Sequence, residues 1–396
     1  MENNKKILNV PNLRFPEFKN EWISSELNSE ALFLKGAVLS KNELSESGRP
    51  CILYGQLYTT YKNETIDEVI SKTNCKDKNL FIGKSNDVII PASGETPEDI
   101  STACCVLPDG VLFGGDLNVI RANHNGSFLS YQLNGKRKYD IAKLAVGKSI
   151  VHLHNEQLKK LVCTFPPSIQ EENKIVSLLN NIDNRIKAQN KIIEHYESLI
   201  KGIKEKEFTN TKNKAKYLLK DIIYERKEYS QKDDGFEHVT LSKDGILPKS
   251  ERYNRDFLVK DEEKEYKITK LNDICYNPAN LKFGVICRNN YGESIFSPIY
   301  VTYEVKKDYD SLYISYYLCR NNFIKMIRKY EQGTVYERMS VSSEDFLKGV
   351  VFLPSLNEQI LISKKIKTIE NKIQLEKKYL DMLLAQKKYF LENLFI

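Results

Sequence analysis

Four stretches of the chain interleave cations with aromatic and amide side chains. They are Lys136-Arg137-Lys138-Tyr139; Lys249 with Arg252, Tyr253 and Arg255; Arg288-Asn289-Asn290-Tyr291; and Lys325 with Arg328, Lys329 and Tyr330. Lys and Arg neutralise phosphate oxygens, and Arg and Asn also hold base edges through paired hydrogen bonds. The chemistry on offer is nucleic-acid binding, although each cluster taken alone fits a solvated charged face better. The chain carries 60 Lys and Arg against 53 Asp and Glu, a net charge of +7. That balance permits contact with phosphate without requiring it.

Catalytic chemistry finds no matching constellation. Ala142-Lys143-Leu144-Ala145-Val146-Gly147-Lys148-Ser149 fits a relaxed phosphate-binding loop, but such a loop follows a buried strand and opens a helix. Here the charged Lys136–Asp140 stretch precedes it and the β-like Ile150-Val151-His152-Leu153 follows. Tyr276-Asn277-Pro278-Ala279-Asn280 lacks the aromatic ring that stacks an extruded base in amino-methylating enzymes. Phe113-Gly114-Gly115-Asp116 reads as a turn. Among the eight cysteines there is no Cys-x-x-Cys pair, and His152-x-His154 has no second half at ligand spacing. Metal ligands are therefore not expected, and the cysteines read as reduced thiols of a cytosolic protein.

What must position the basic clusters is larger than one domain. A chain of 396 residues and 45.9 kDa exceeds a single hydrophobic core. No apolar run approaches the ~18–20 residues of a membrane span, and Met1–Lys6 leads into no signal-peptide core. Integral-membrane, secreted and collagen-like classes are not expected.

The chain repeats itself. Pro167-Ser168-Ile169-Gln170-Glu171-Glu172 aligns with Pro354-Ser355-Leu356-Asn357-Glu358-Gln359 at an offset of 187 residues, which holds without a gap to Phe208 and Phe395. Eleven of these 42 positions are identical, several times what unrelated chains of this composition share. Both copies carry a narrow apolar seam in steps of three and four, the mark of a coiled coil. It runs through Ile175, Leu179, Ile182, Ile186, Ile193, Tyr196, Ile200 and Ile203, and again through Ile362, Ile366, Ile369, Ile373, Leu380, Leu383 and Phe390. Gln189 and Glu376 interrupt it at the same place in both copies, either fixing register or marking divergence of the helices. Ser168 with Glu171 and Ser355 with Glu358 have the spacing of capping boxes.

Each helix would be ~60 Å long at 1.5 Å per residue. The eight residues 209–216 reach at most ~28 Å, less than the ~35–40 Å diameter expected for the domain that follows. If the helices pair, they therefore run antiparallel, with a globular region at either end and a pseudo-two-fold axis between. Those regions repeat weakly as well. Asp87-Val88-Ile89 aligns with Asp273-Ile274-Cys275, Leu129–Leu133 with Ile314–Leu318, and Gly147 with Gly333. Runs at Asp87–Pro91, Leu117–Ile120, Val285–Arg288 and Ile299–Tyr303 read as strands. The expected architecture is two tandem α/β (α+β) domains, at 1–166 and 217–353. Long helices follow them at 167–208 and 354–396, with a linker at 209–216.

At this point the chain resembles the specificity subunit of type I restriction–modification enzymes. The resemblance is carried by Asn9-Val10-Pro11-Asn12-Leu13-Arg14-Phe15-Pro16-Glu17-Phe18 with Glu21-Trp22, by Pro-Ser-x-x-Glu entering each long helix, and by the finish Gln386–Phe395. It covers the whole chain. It implies two target-recognition domains, each reading half of a bipartite double-stranded DNA target, while the helices set the gap. It also implies a chain without catalysis or cofactor of its own, working in the bacterial cytoplasm. Two modification (methyltransferase) subunits would supply S-adenosylmethionine chemistry, and restriction (translocase) subunits would use ATP and Mg²⁺.

Within that family resemblance, Gly333-Thr334-Val335-Tyr336-Glu337-Arg338 is similar to a loop near the end of these domains, and makes Arg338, with Tyr336, an expected DNA contact. The first domain offers Lys148 and His152 in Gly147–His152, without the arginine. The Asn-Leu-Arg-Phe-Pro motif is expected to pack where domain meets helix. Two other classes stay open at this point: an autonomous DNA methyltransferase-like enzyme, and a coiled-coil scaffold that binds no DNA.

Overall fold

The computed structural model describes residues 9–61, 63–147, 150–231, 235–242, 245–249, 265–333 and 339–396. The chain divides into two compact units, Met1–Ile192 with Glu376–Ile396, and Ile193–Leu375. Each long helix contributes one part to each unit.

The first unit is built on β1 (Ile23–Glu26), β2 (Ala31–Lys35), β3 (Thr65–Ile66), β4 (Asp87–Pro91), β5 (Cys104–Val106), β6 (Leu117–Ala122), α1 (Gly126–Asn134) and β7 (Val162–Phe165). An uninterrupted apolar run such as Val88-Ile89-Ile90 suits a strand covered on both faces, and all five residues of β4 are buried. It lies at the centre of a sheet ordered β2-β6-β4-β5-β3. The pairs are antiparallel except β5–β3. On it sits α1, whose Asn125 cap accepts the Ser127 and Phe128 amides, as the open N–H groups of a first turn require. Phe128 and Tyr131 of α1 share one core with Trp22, Ile175 and Leu179. A second five-stranded sheet, of strands two to four residues long, surrounds Ile52 and Phe113.

The second unit repeats the plan with β8 (Ala215–Leu218), β9 (Ile223–Glu225), β10 (Ile274–Tyr276), β11 (Ile286–Arg288), β12 (Val301–Val305), α2 (Ser311–Leu318) and β13 (Val350–Leu353). Its sheet order β9-β12-β10-β11 matches β2-β6-β4-β5, again antiparallel. β1 pairs with β7, and β8 with β13, in the same sense. The turns entering β4 and β10 are duplicates. Asn86 and Asn272 take φ of 76° and 75°, a left-handed conformation that Asn tolerates. The Asp87 and Asp273 carboxylates each accept an amide three residues back, from Lys84 and Lys270, at 2.8 Å.

Such buried carboxylates need a counter-charge. Arg121 reaches Asp87 with two bonds of 2.7 Å, and Arg226 reaches Asp273 at 2.8 and 3.1 Å. Arg121 lies in β6, whereas Arg226 follows β9. The same ion pair is thus made from different places in the two domains.

The long helices span Ile169–Thr209 and Leu356–Asn393. Ile175, Leu179, Ile182, Ile193, Ile362, Ile366, Ile373 and Leu383 are buried, and Ile186, Ile200, Ile369 and Leu380 half-buried. In the first unit Gln189 bonds Glu376, Arg185 bonds Tyr379, and Asp183 pairs with Lys387, so the two segments run antiparallel. The polar interruptions therefore meet each other: buried Gln189 donates to the Glu376 backbone oxygen at 3.1 Å and to its carboxylate. In the second unit Ile200, Ile203 and Phe208 pack in one core with Ile362 and Ile366.

The two helix starts differ. Ser355 and Glu358 form the expected box, the Ser355 N–H donating to the carboxylate at 3.1 Å. Glu171 does not return to Ser168. Its carboxylate accepts from Arg14 and from the Trp22 indole, because a charged guanidinium makes a stronger hydrogen bond to a carboxylate than a backbone amide does. The N-terminal motif is held there, with the Leu13 N–H donating to Asn393 at 2.9 Å.

Candidate nucleic-acid interface

In the first unit the cluster after α1 stands on the turn into the helix Lys138–Leu144. Lys136 is exposed, and Arg137 and Lys138 are half-buried. Arg137 Nη1 lies 3.6 Å from Asp140, and its Nε is buried without a hydrogen-bond partner. Tyr139 projects into solvent at 70% exposure, with Lys143 Nζ 4.1 Å above its ring. His152 is exposed in the two-residue strand Val151–His152, which pairs with Ser93–Gly94. Its Nδ1 is 3.3 Å from Ser93 Oγ, and its ring lies nearly parallel to that of His154. The short helix Pro97–Ile100 packs against both Lys138–Leu144 and Val151–His152, which puts the two groups in one neighbourhood. Lys148 lies outside the described residues.

In the second unit, Arg288 is splayed between Asn272 Oδ1 and Asn290 Oδ1, each at 2.7 Å. It lines an open cleft of about 490 Å³ together with Tyr291, Tyr316, Lys204 and Lys367. Those two lysines come from the long helices, and no local sequence signal tied them to Arg288. Asn289 requires a correction. It is fully buried, donates to Thr269 Oγ1 and the Gly292 oxygen, and accepts from the Tyr291 and Gly292 amides. Its amide is consumed in building the turn and has nothing left for a base edge.

Arg328 is closed onto Glu331 by bonds of 2.7 and 3.1 Å, which leaves Lys325 and Lys329 as the exposed cations of that cluster. Lys249 is half-buried. Arg252, Tyr253, Arg255, Tyr336 and Arg338 lie outside the described residues.

Neither nucleophile nor metal centre emerges among the described residues. Burial pushes the thiols up, Cys51 and Cys105 to about 11 and Cys163 and Cys275 to about 12, far from thiolate chemistry at neutral pH. Among the described residues no group of three or more His, Cys, Asp or Glu could hold a metal ion.

A sheet-and-helix plan is built twice, each time on segments of the same two helices. The sequence model of the type I restriction modification DNA specificity domain matches residues 19–197. The type I restriction enzyme MjaX specificity subunit of Methanocaldococcus jannaschii is 26% identical over 314 residues, 71% of this chain and 70% of that one. The crystal structure of a type I restriction–modification S subunit from M. genitalium shares the fold at a TM-score of 0.61 and 16% identity, covering 98% of this chain and 99% of that one. A structure from work on complex assembly of the type I system aligns at 0.54 and 14%, covering 94% and 96%. The chain is thus similar to type I restriction–modification specificity subunits, in sequence to their specificity domain over residues 19–197 and in fold over nearly its whole length.

Proposed function

We propose that this chain is the sequence-reading subunit of a type I restriction–modification complex and performs no chemistry itself. One observation carries the reading: the core β2-β6-β4-β5 with α1 recurs as β9-β12-β10-β11 with α2. Two readers of one design suit a split double-stranded target. The readers are residues 1–166 and 217–353, and the helices at 167–208 and 354–396 set the gap between half-targets. In the first reader Lys136, Arg137, Lys138, Tyr139, Lys148 and His152 face DNA; in the second, Lys249, Arg252, Arg255, Arg288, Lys329, Tyr336 and Arg338 do so.

Two modification subunits, working with S-adenosylmethionine, dock on the helices, and restriction subunits using ATP and Mg²⁺ join them in the cytoplasm. Support for docking comes from apolar side chains left in solvent seven residues apart on one face of the second long helix, Leu375 at 60% and Met382 at 68% exposure, a spacing that a partner helix covers. No helix among the described residues is long and apolar enough to cross a membrane.

The test is selection from randomised duplex DNA by the full chain assembled with its modification subunits. The expected product is one sequence in two blocks separated by a fixed number of unselected positions, bound with a steep salt dependence. Recovery of a single uninterrupted block, or of none, overturns the reading.

A further inference from the structure

In each unit a tyrosine of the domain reaches a carboxylate of a long helix, and a lysine of the other long helix closes the group. In the first unit, Tyr131 of α1 donates to Asp183 Oδ2 at 2.6 Å. Lys387 Nζ lies 2.7 Å from Asp183 Oδ1 and 2.5 Å from Glu64 Oε2, and 5.7 Å from the Tyr131 ring centre. In the second unit, Tyr316 of α2 donates to Glu370 Oε2 at 2.6 Å. Lys204 Nζ lies 3.3 Å from Glu370 Oε1 and 4.6 Å from the Tyr316 ring centre.

The tyrosines occupy matched positions of α1 and α2, and the carboxylates are separated by the repeat offset of 187. The lysines are not matched. Ile200 stands where the repeat would put Lys387, and Leu391 where it would put Lys204. Each is displaced by four residues, about one helical turn, so a cation reaches the same place from a different position. Duplication alone does not produce that. The group itself is what recurs.

Its physical effect is directional. Apolar contact between α1 or α2 and the long helices is indifferent to small rotations, whereas a short hydrogen bond to a carboxylate tolerates little. We propose that Tyr131–Asp183–Lys387 and Tyr316–Glu370–Lys204 are clamps that fix the angle between each recognition domain and its helix pair, and so determine which gap the protein accepts between half-targets. This rests on the two-reader function proposed above. One base pair more or less moves a half-target by about 3.4 Å and turns it by about 35°, a change that a clamped reader does not follow. The clamps are unequal. Lys387 and Asp183 are 14% and 8% exposed, Lys204 and Glu370 33% and 29%, and the second clamp lines the basic cleft.

The experiment measures binding by the complex with its modification subunits to the mapped target, to targets with the gap one base pair longer or shorter, and to targets with one base changed in either half. Tyr131→Phe and Tyr316→Phe remove only the hydroxyls. The expected result is that preference for the mapped gap falls about tenfold, the ratio one charge-assisted hydrogen bond supports, while preference within each half is unchanged. Full gap preference in Tyr316→Phe, or lost base preference with the gap preference intact, overturns the clamp. If Tyr131→Phe fails to fold, Tyr316→Phe and Lys204→Met in the more open clamp decide by the same criteria. A wild-type complex with no gap preference sinks the two-reader function instead.

Discussion

Arg14 grips Glu171 with both arms of its guanidinium, Nε to Oε1 at 2.7 Å and Nη2 to Oε2 at 2.9 Å. The carboxylate is buried and takes a third bond from the Trp22 indole at 3.1 Å. Residue 14 thereby ties the N-terminal motif to the first turn of a helix that begins more than 150 residues later. Arg14→Ala strands a buried charge and should cost about 3–5 kcal/mol in urea unfolding. Arg14→Lys should recover only part of this, because an ammonium cannot bond both oxygens in parallel. A loss below about 1 kcal/mol for Arg14→Ala would show that the pair does not hold the N-terminal motif.

His124 sits between Glu172 at 2.6 Å and Glu30 at 3.2 Å, stacked on Phe165. Burial works to lower its pKa, but bonds to the two carboxylates outweigh burial and the net shift is upward from 6.5. The folded state therefore holds the proton more tightly than the unfolded chain. The resulting stability is complete below about pH 6.5 and lost as pH rises through the folded value. Wild type should lose stability relative to His124→Gln as pH is raised from 6.5, read by thermal melts. A difference that stays constant with pH, or grows, contradicts the assignment.

Asn289 and Arg338 should separate structure from reading. Asn289→Ala removes a buried amide with four bonds and should lower stability by about 2–3 kcal/mol without altering the target. Arg338→Ala should leave the melt unchanged and relax one position of one half-target by about 1–3 kcal/mol, the worth of a paired base contact. Unfolding and methylation mapping of both variants check this. An Asn289 variant that melts like wild type but reads a changed target reverses the assignments.

The seam offers a contrast between apolar and polar positions. Ile366→Ala opens a fully buried site and should cost about 2–5 kcal/mol. Gln189→Ala removes the two hydrogen bonds that Gln189 donates to Glu376 and should cost about 1–2 kcal/mol. Gln189→Leu combined with Glu376→Leu should restore stability, since apolar replacement of a buried polar pair is often neutral or better. A neutral Gln189→Ala in denaturant unfolding would mean that the meeting of these two residues carries no energy.

Periodicity and duplication made the long helices and their antiparallel sense legible in the residues alone. A seam every three or four positions has one structural meaning, and a short linker allows one direction of return. Strands such as Leu112–Phe113 are too short to show any period, so the second sheet of the first unit was not legible. The Asp87–Arg121 and Asp273–Arg226 pairs were hidden because the arginines come from non-equivalent places in the two domains, one within β6 and one just after β9. The basic clusters misled at Asn289 for a chemical reason: the donors and acceptors that suit a base edge also suit a turn. Lys204 and Lys367 joined Arg288 only once the helices had folded against α2.

The most direct test is a methylation map of DNA from cells expressing the modification subunits with either the natural chain or one whose residues 217–353 come from a relative of different specificity. If two independent readers share one spacer, the swapped chain marks a target with one half replaced, the other half intact and the gap unchanged. A target altered in both halves, or in neither, contradicts it.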